Sequence, residues 1–365
     1  MREPNAIDFW RGFALITIFI NHVPGNVFER FTYSKYSLSD AAELFVFLAG
    51  WAIALATHGR LGPEPVGQVL LRLASRTVEV YRAQLVITAV ALAMIAAAGI
   101  YFDNPLFLEW HNAAPAFTDP IQTTIGWVTL THQLGYFNIL PLYVALLALS
   151  PLFVLLARLS RAAALALSVA IYLAALVFEI NLPTWPVEGT WFFNPFAWQL
   201  LLALGFLSCQ WSRESERFRR WTARLMPVGV AGIVVGVVIA AWDLKPDPFL
   251  VPEPRLLFIF DKSNLSPGRL LHFIAVVLGF QSLYGPIEPV FPWASRQLSA
   301  LGRNSLAVFS VGSIVSLAGQ LLRFELGGGL IVDTFILGSG LACLIFTAWF
   351  VEWRLRSSRP SSLPS

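Results

Sequence analysis

The sequence predicts an all-α, polytopic membrane protein with about ten transmembrane helices, and three observations support this fold class. Hydrophobic residues make up 56% of the 365 residues and charged residues only 13%. The mean hydropathy is +0.66, whereas soluble domains carry about 25% charged residues. Apolar runs of about 20 residues, the length that crosses a bilayer, recur along nearly the whole chain. We therefore expect one transmembrane domain over residues 1–356 and a short, unstructured cytoplasmic tail over residues 357–365.

Ten apolar segments can be read in order, and turn-forming residues separate them. Breaks such as "HGRLGPEPVG", "KPDPFLVPEPR" and "ELGGG" are rich in Gly, Pro and charge. The predicted spans are 7–24, 38–56, 78–100, 137–156, 162–180, 196–211, 225–242, 270–284, 305–324 and 330–353.

The basic residues predict the orientation of these spans. Loops on one side carry Arg158 and Arg161, then "SRESERFRRWTAR", then Arg296 and Arg303. The loops between them are poorer in Arg and Lys and hold most of the acidic residues. Since cytoplasmic loops are enriched in Lys and Arg, both termini are predicted to be cytoplasmic.

The two cysteines, Cys209 and Cys343, lie far apart inside apolar segments. This placement indicates neither a disulfide nor a thiolate metal site, and both residues are interpreted as small buried hydrophobic side chains. We expect no bound metal and no nucleic-acid partner.

The first span, "IDFWRGFALITIFINHVPG", carries Arg11 near one end and His22 near the other. Eleven residues of helix separate them by about 16 Å and leave them within about 20° of the same face. Arg11 is explained either by snorkelling toward the headgroups, helped by Asp8, or by a function inside the membrane. His22 must be hydrogen-bonded or hydrated there, which leaves a structural and a catalytic interpretation open.

The second span offers His22 a carboxylate. If the first two spans form a hairpin, Glu43 lies level with His22, and a carboxylate on one ring nitrogen makes the other a better general base. A local interpretation competes, because Asp40-Ala-Ala-Glu43 fits a capping box at a helix start. The two interpretations do not exclude each other, so His22, Glu43 and Asp40 are the candidate catalytic residues.

The third span begins with arginines in "LLRLASRTVEVYRAQ", namely Arg72, Arg76 and Arg82. The general enrichment of Arg on the cytoplasmic side is one explanation for them. Guanidinium groups also bind phosphates well, so the cluster is a candidate site, with Arg11, for a nucleotide donor such as coenzyme A.

Two segments on the predicted outer side are candidates for substrate binding. "LPTWPVEGTWFFNPFAWQL" holds Trp191, Asn194 and Trp198, which fit either an interfacial aromatic belt or a carbohydrate platform. "FDKSNLSPGRLLHF" adds a basic group able to hold a carboxylate, formed by Lys262, Arg269 and His272.

Seven motifs in unbroken order resemble the OpgC family, membrane succinyltransferases of osmoregulated periplasmic glucans. They are "IDFWRGFALITIFINHVPGN", "SDAAELFVFLAGW", "YFNILPLYVALLALSPL", "NLPTWP", "WFFNPFAWQLLLALG", "KSNLSPGRLLHF" and "LGRNSLAVFSVG". This family is similar to a wider group of transmembrane acyltransferases, marked by an Arg and a His on the first helix and an Arg-rich start of the third. The resemblance places these marks on Arg11, His22, Arg72, Arg76 and Arg82.

The resemblance implies acyl transfer from cytoplasmic succinyl-CoA to a hydroxyl of a periplasmic glucan, in the bacterial inner membrane. An O-acetyltransferase of another envelope polysaccharide is the main alternative. A transporter of a dicarboxylate or an acylated sugar is a third hypothesis, although the chain lacks the repeated halves common in carriers. The sequence leaves open whether the chain forms a homodimer.

Overall fold

The computed structural model describes residues 3–59 and 62–357, and most of these residues are helical. A hairpin of two two-residue strands, β1 (His58–Gly59) and β2 (Gly62–Pro63), is the only paired sheet that the described residues form. The α-helices are α1 Ala6–Asn21, α2 Ala41–Thr57, α3 Val66–Tyr101, α4 Ala114–Thr118, α5 Pro120–Val128, α6 Ile139–Leu159, α7 Arg161–Val177, α8 Pro195–Glu214, α9 Glu216–Arg224, α10 Met226–Ala241, α11 Pro267–Phe280, α12 Tyr284–Val290, α13 Pro292–Arg303, α14 Ser305–Glu325 and α15 Leu330–Ser357. Short 3-10 helices are Val27–Phe31, Tyr33–Tyr36, Pro105–Asn112 and Arg255–Leu257.

The described part of the chain divides into two compact units. The terminal unit consists of described residues 3–32 and 282–357 and holds α1 and α12 to α15. The central unit consists of described residues 33–59 and 62–281 and holds α2 to α11. The single transmembrane domain expected over residues 1–356 stays a prediction. The tail expected over residues 357–365 lies outside the described residues, apart from Ser357 at the end of α15.

Each of the ten predicted segments contains an α-helix at nearly the predicted position, which confirms the all-α class. Four helices, α3, α6, α14 and α15, are long and apolar enough to cross a membrane. The number rises to six if two bent helix pairs are each counted as one span, and α2 and α7 are apolar but shorter. These helices are those of a membrane protein, whereas ten spans and cytoplasmic termini stay predictions.

Glycines bring helices of the central unit into backbone contact. A Cβ atom added at Gly50 of α2 would lie 2.0 Å from the Leu202 carbonyl oxygen of α8, and one at Gly205 would lie 1.9 Å from that of Phe47. No side chain fits at these distances, so small residues set how closely α2 and α8 approach, as is common between membrane helices. This contact fixes the start of α2, where Asp40 and Glu43 lie.

In the terminal unit, glycines also bring α1 and α13 into backbone contact. A Cβ atom at Gly12 would lie 1.9 Å from the Leu298 carbonyl oxygen, and one at Gly302 would lie 1.9 Å from that of Asp8. The apolar pattern does not predict α13, which was taken as a loop carrying Arg296 and Arg303. It is a short helix with one polar face, so it lacks the continuous apolar run that marks the other helices.

The cysteine prediction was half correct. Cys209 of α8 is buried, but Cys343 of α15 is exposed. Several large apolar side chains of α15, including Phe335 and Phe346, are exposed as well. Surface of this kind suits lipid, because the exposed face of a membrane helix is as apolar as its buried face.

Candidate active site

Arg11 and His22 lie on one uninterrupted helix, as predicted. Asn5 begins α1 by accepting a hydrogen bond from the Asp8 amide at 3.0 Å, and His22 is the residue that ends the helix. The Arg11 Nη2 atom donates to the Ser305 hydroxyl at 2.9 Å. The His22 carbonyl oxygen accepts a hydrogen bond of 2.5 Å from the Gln320 amide. Both residues are thus held by α14, about 16 Å apart along α1.

A small cavity of about 10 Å³, enough for roughly one water molecule, lies between α1 and α14 beside His22. Leu15, Ile18 and His22 line it from α1, and Gly312 and Ser313 line it from α14. Spacings of three and four residues put this row of α1 side chains on the same helix face as Arg11. The cavity therefore lies on the face of α1 that also carries Arg11.

The loop after His22 is anchored by an ion pair that the sequence analysis missed. Asp333 is fully buried and accepts from Arg323 Nε at 2.8 Å and from the Val27 amide at 2.8 Å. Arg323 Nη2 also donates to the Gly25 carbonyl oxygen at 2.5 Å. The sequence did contain a signal for this pair, namely one Arg and one Asp in two neighbouring apolar segments. Ionisable residues inside a membrane are costly unless they are paired.

The structure confirms the capping box at the start of α2. The Asp40 carboxylate accepts from the Ala42 amide at 2.8 Å, and the Glu43 Oε2 atom accepts from the Asp40 amide at 3.0 Å. Each acidic side chain thereby satisfies an amide that the first helical turn leaves unbonded.

Glu43 and Asp40 also form a charged cluster with Arg269 and Lys262 in the central unit. The Glu43 Oε1 atom accepts from Arg269 Nε at 3.0 Å and from Nη2 at 2.5 Å. Asp40 Oδ2 lies 2.5 Å from Lys262 Nζ and 3.7 Å from Arg269 Nη2. Glu43 is fully buried and the Arg269 side chain is 12% exposed. Two cations and two anions balance in charge, which allows the cluster to stay buried.

The environment of this cluster also acts on Tyr33, in the loop before α2. Burial raises the pKa of the Tyr33 phenol, and the neighbouring Asp40 and Glu43 carboxylates raise it further. The phenol is therefore neutral at physiological pH and keeps its proton as a hydrogen-bond donor.

The partner of His22 proposed from sequence, Glu43, belongs to the central unit, whereas His22 belongs to the terminal unit. Their pairing stays a prediction. The two Glu43 oxygens are already bonded to Arg269 and to the Asp40 amide. Sequence reasoning missed Arg269 as this partner, because 226 positions separate it from Glu43.

His272 lies next to the charged cluster and is buried. Its Nδ1 atom is 3.0 Å from the Ser39 hydroxyl and 3.4 Å from that of Ser37. The ring lies so close to α10 that a Cβ atom on Gly236 would be 2.0 Å from Nε2. The geometry gives His272 a packing role, and its predicted contact with a glucan stays a prediction.

The predicted aromatic platform is also mostly buried. Asn194 caps α8 through the Phe196 amide at 3.0 Å and donates to the Ile180 carbonyl oxygen at 2.8 Å. The Trp198 indole donates to the Lys262 carbonyl oxygen at 3.2 Å, and Trp191 is 6% exposed. Asn194, which also donates to the Asn264 side chain at 2.9 Å, and Trp198 hold the Lys262 loop on α8. Sugar stacking by the three residues stays a prediction.

The three arginines predicted to bind donor phosphates share α3. Arg72 pairs with Glu64 at 2.8 Å and donates to the Ala56 carbonyl oxygen, and Arg76 pairs with Glu79 at 2.7 Å. Arg82 is exposed. A phosphate would have to compete with the two carboxylates, so donor binding here stays a prediction. No group of three or more His, Cys, Asp and Glu side chains among the described residues is arranged to hold a metal ion.

Comparison with protein families matches residues 2–356 to one family, described as OpgC protein. Comparison with curated proteins finds no match, and comparison with solved structures finds none either. The family match covers nearly the whole chain, including both units and every candidate residue above. The chain therefore belongs to the OpgC family, as the seven motifs predicted.

Proposed function

We propose that this chain is an O-succinyltransferase of the bacterial inner membrane that moves a succinyl group from cytoplasmic succinyl-CoA to hydroxyls of periplasmic glucans. Membership of the OpgC family indicates a membrane acyltransferase acting on glucans. The succinyl-CoA donor and the catalytic role of His22 are proposed from the small cavity between α1 and α14, which the His22 side chain helps to line. The cavity has room for roughly one water molecule, so an acyl-pantetheine arm is proposed to enter it when α1 and α14 move apart.

The donor is proposed to enter at the cytoplasmic end of α1. Its phosphates are assigned to the predicted arginines Arg11, Arg72, Arg76 and Arg82, because guanidinium forks bind phosphate oxygens. The arm then lies along the apolar wall formed by Leu15 and Ile18. The thioester carbonyl is placed beside the His22 ring.

The proposed reaction is direct transfer. His22 removes the proton from a glucan hydroxyl, and the oxygen attacks the thioester carbonyl carbon. The carbon–sulfur bond breaks, and the coenzyme A thiolate takes the proton from the imidazolium. Glu43 is proposed to orient the His22 ring. Asp40 is proposed to support Glu43 by capping the start of α2. A covalent acyl-histidine is the less favoured route.

The acceptor side of the proposal lies at the Lys262 loop. Lys262 is 36% exposed and its Nζ atom lies 6.0 Å from the centre of the Phe192 ring, which is itself 44% exposed. An accessible cation next to an aromatic face suits both a carboxylate and a sugar ring. Arg269, His272, Trp191, Asn194 and Trp198 are proposed to hold this surface in shape.

The proposal is tested by mass spectrometry of periplasmic glucans from cells that lack this chain and from the same cells complemented with it. We expect succinylated glucans only in the complemented cells. Glucans that carry acetyl groups instead would favour the O-acetyltransferase. Identical glucans in both strains would exclude this chain as the acyltransferase.

Filling the cavity should block the reaction without unfolding the protein. A Cβ atom on Gly312 would lie 3.3 Å from Leu344 Cδ2, the end of a flexible side chain that has to shift slightly, and Gly312→Leu directs its side chain into the cavity. We expect kcat/KM for succinyl-CoA to fall about a hundredfold, as for other displacements of about 1 Å in an active site. The measurement is steady-state transfer by purified protein in detergent.

Gly338→Leu is the matched control, because it adds the same side chain to an exposed site on α15 with no atom within 4 Å of the new Cβ. It should keep wild-type kcat/KM. If Gly312→Leu also keeps it, the cavity does not hold the donor.

Removing a donor-binding arginine should weaken donor affinity rather than catalysis. Arg76→Ala is expected to raise KM for succinyl-CoA about tenfold and to leave kcat within twofold, because it removes a charge-assisted bond made equally before and during reaction. Glu79→Gln is the control, since it releases Arg76 from its 2.7 Å ion pair and should not raise KM. An unchanged KM in Arg76→Ala would remove Arg76 from the donor site.

A further inference from the structure

A second basic site lies in the central unit, on a segment that the proposed reaction does not use. The short helix α9 (Glu216–Arg224) follows α8 and meets α10 at a bend of 43°. An open cavity of about 670 Å³ lies against it, lined by Trp211, Phe218, Trp221, Arg217, Arg220 and Arg224.

The spacing on α9 separates its side chains into adjoining stripes. At 100° per residue, Arg217, Arg220 and Arg224 fall within about 60° of one another. Trp221 lies about 40° beyond this stripe, and Arg219 lies on the opposite face of the helix. Three guanidinium groups and an indole therefore point the same way, into the cavity.

These arginines have little internal charge compensation. The only carboxylate within 4.0 Å of them among the described residues is Glu216, 3.8 Å from Arg220, and both side chains are more than two-thirds exposed. Arg217 and Arg224 make no ion pair within the described part of the chain and are exposed. The site thus carries a net positive charge that suits an anionic ligand.

The surroundings of α9 identify the kind of anion. α10 is apolar along its whole length, and Val228, Val230, Val234 and Val235 are all exposed. A helix of this kind needs lipid around it, which places α9 and the 57% exposed Trp221 at the boundary between lipid and water. An anion found at that boundary, with apolar chains next to it, is the phosphate of a phospholipid headgroup.

We propose that the cavity against α9 binds the headgroup of an anionic phospholipid, with its phosphodiester on Arg217, Arg220 and Arg224. Arginine forks bind phosphate oxygens, and the lipid tails continue along the exposed valines of α10. Trp211 and Trp221 flank the glycerol region, as interfacial aromatic residues do. This inference does not depend on the acyltransferase activity.

The test measures retention of phosphatidylglycerol and phosphatidylcholine by the full-length protein, using native mass spectrometry of detergent-solubilised samples. Each basic residue near a membrane surface contributes about a fivefold gain in affinity for anionic lipid. We expect R217Q/R220Q/R224Q to bind phosphatidylglycerol on the order of a hundredfold more weakly than wild type. Phosphatidylcholine should bind weakly to both proteins, and rising salt should weaken phosphatidylglycerol binding to wild type only.

Arg219→Gln is the matched control, because Arg219 shares the helix but faces away and donates to the Ser212 carbonyl oxygen at 2.7 Å. It should bind phosphatidylglycerol within twofold of wild type. Unchanged binding by the triple variant, or an equal loss in Arg219→Gln, would overturn the proposal. Displacement of phosphatidylglycerol from wild type by micromolar adenosine 3′,5′-bisphosphate would also overturn it, since the ligand would then be a free nucleotide. Thermal unfolding of each variant at the wild-type temperature shows that it is folded.

Discussion

Replacing His22 by Ala is expected to abolish succinylation of periplasmic glucans while leaving the protein at its normal level in the membrane. The imidazole is the proposed general base beside the cavity, and a positioned base contributes about 10²- to 10⁴-fold to a proton transfer. The His22 carbonyl oxygen, which holds Gln320, is retained in the variant, so its packing is preserved. Mass spectrometry of the glucans, with quantitative immunoblotting of the membranes, measures the effect.

His22→Gln and Gln320→Leu serve as controls for this prediction. Gln at position 22 keeps a polar side chain but has no basic nitrogen, so it should be as inactive as Ala. Gln320→Leu removes the bond to the His22 carbonyl oxygen but keeps the His22 imidazole, so it should retain most activity. Normal succinylation in His22→Ala would mean that another group removes the proton.

Replacing Glu43 by Ala is expected to lower the free energy of unfolding by about 3–5 kcal/mol, because it leaves Arg269 buried without its close carboxylate. The Arg269 side chain is 12% exposed, and its remaining partner, Asp40, lies 3.7 Å away. The helix cap at Asp40 is weakened at the same time. Denaturant unfolding of the purified protein in mild detergent measures the loss.

The double variant Glu43→Leu with Arg269→Leu separates the ion pair from a catalytic role of Glu43. With both charges removed, no unpaired ion is buried, and stability should return to within about 2 kcal/mol of wild type. Stability like that of wild type in Glu43→Ala alone would contradict the structural role of the pair. A stable Glu43→Gln protein that transfers no succinyl groups would instead favour Glu43 as the group that orients His22.

The positions of the helices could be predicted because apolar runs and turn residues are local signals. Each predicted segment holds a helix, and the spacing of Asp40 and Glu43 was enough to predict their capping box. The placement of Arg11 and His22 on one face of α1 follows from helix geometry alone. These features require no knowledge of which helices touch.

Features that depend on contacts distant in sequence could not be predicted. Arg269 binds Glu43 across 226 positions, and no local pattern indicates that pairing. Trp198 resembles an interfacial residue in sequence, but tertiary packing buries its ring completely. The helix α13 was not predicted for another reason. It is short and has one polar face, so its sequence lacks the long apolar run by which the other helices were recognised.

The proposed reaction breaks the thioester of succinyl-CoA and transfers its acyl group to a sugar hydroxyl. Purified wild-type protein and His22→Ala are incubated with succinyl-labelled succinyl-CoA and a purified periplasmic glucan, and free coenzyme A and labelled glucan are quantified together. We predict that wild type releases one coenzyme A for each succinyl group gained by the glucan, and that His22→Ala releases none. Intact succinyl-CoA with wild-type protein, or label that crosses a vesicle membrane without release of coenzyme A, would contradict this proposal.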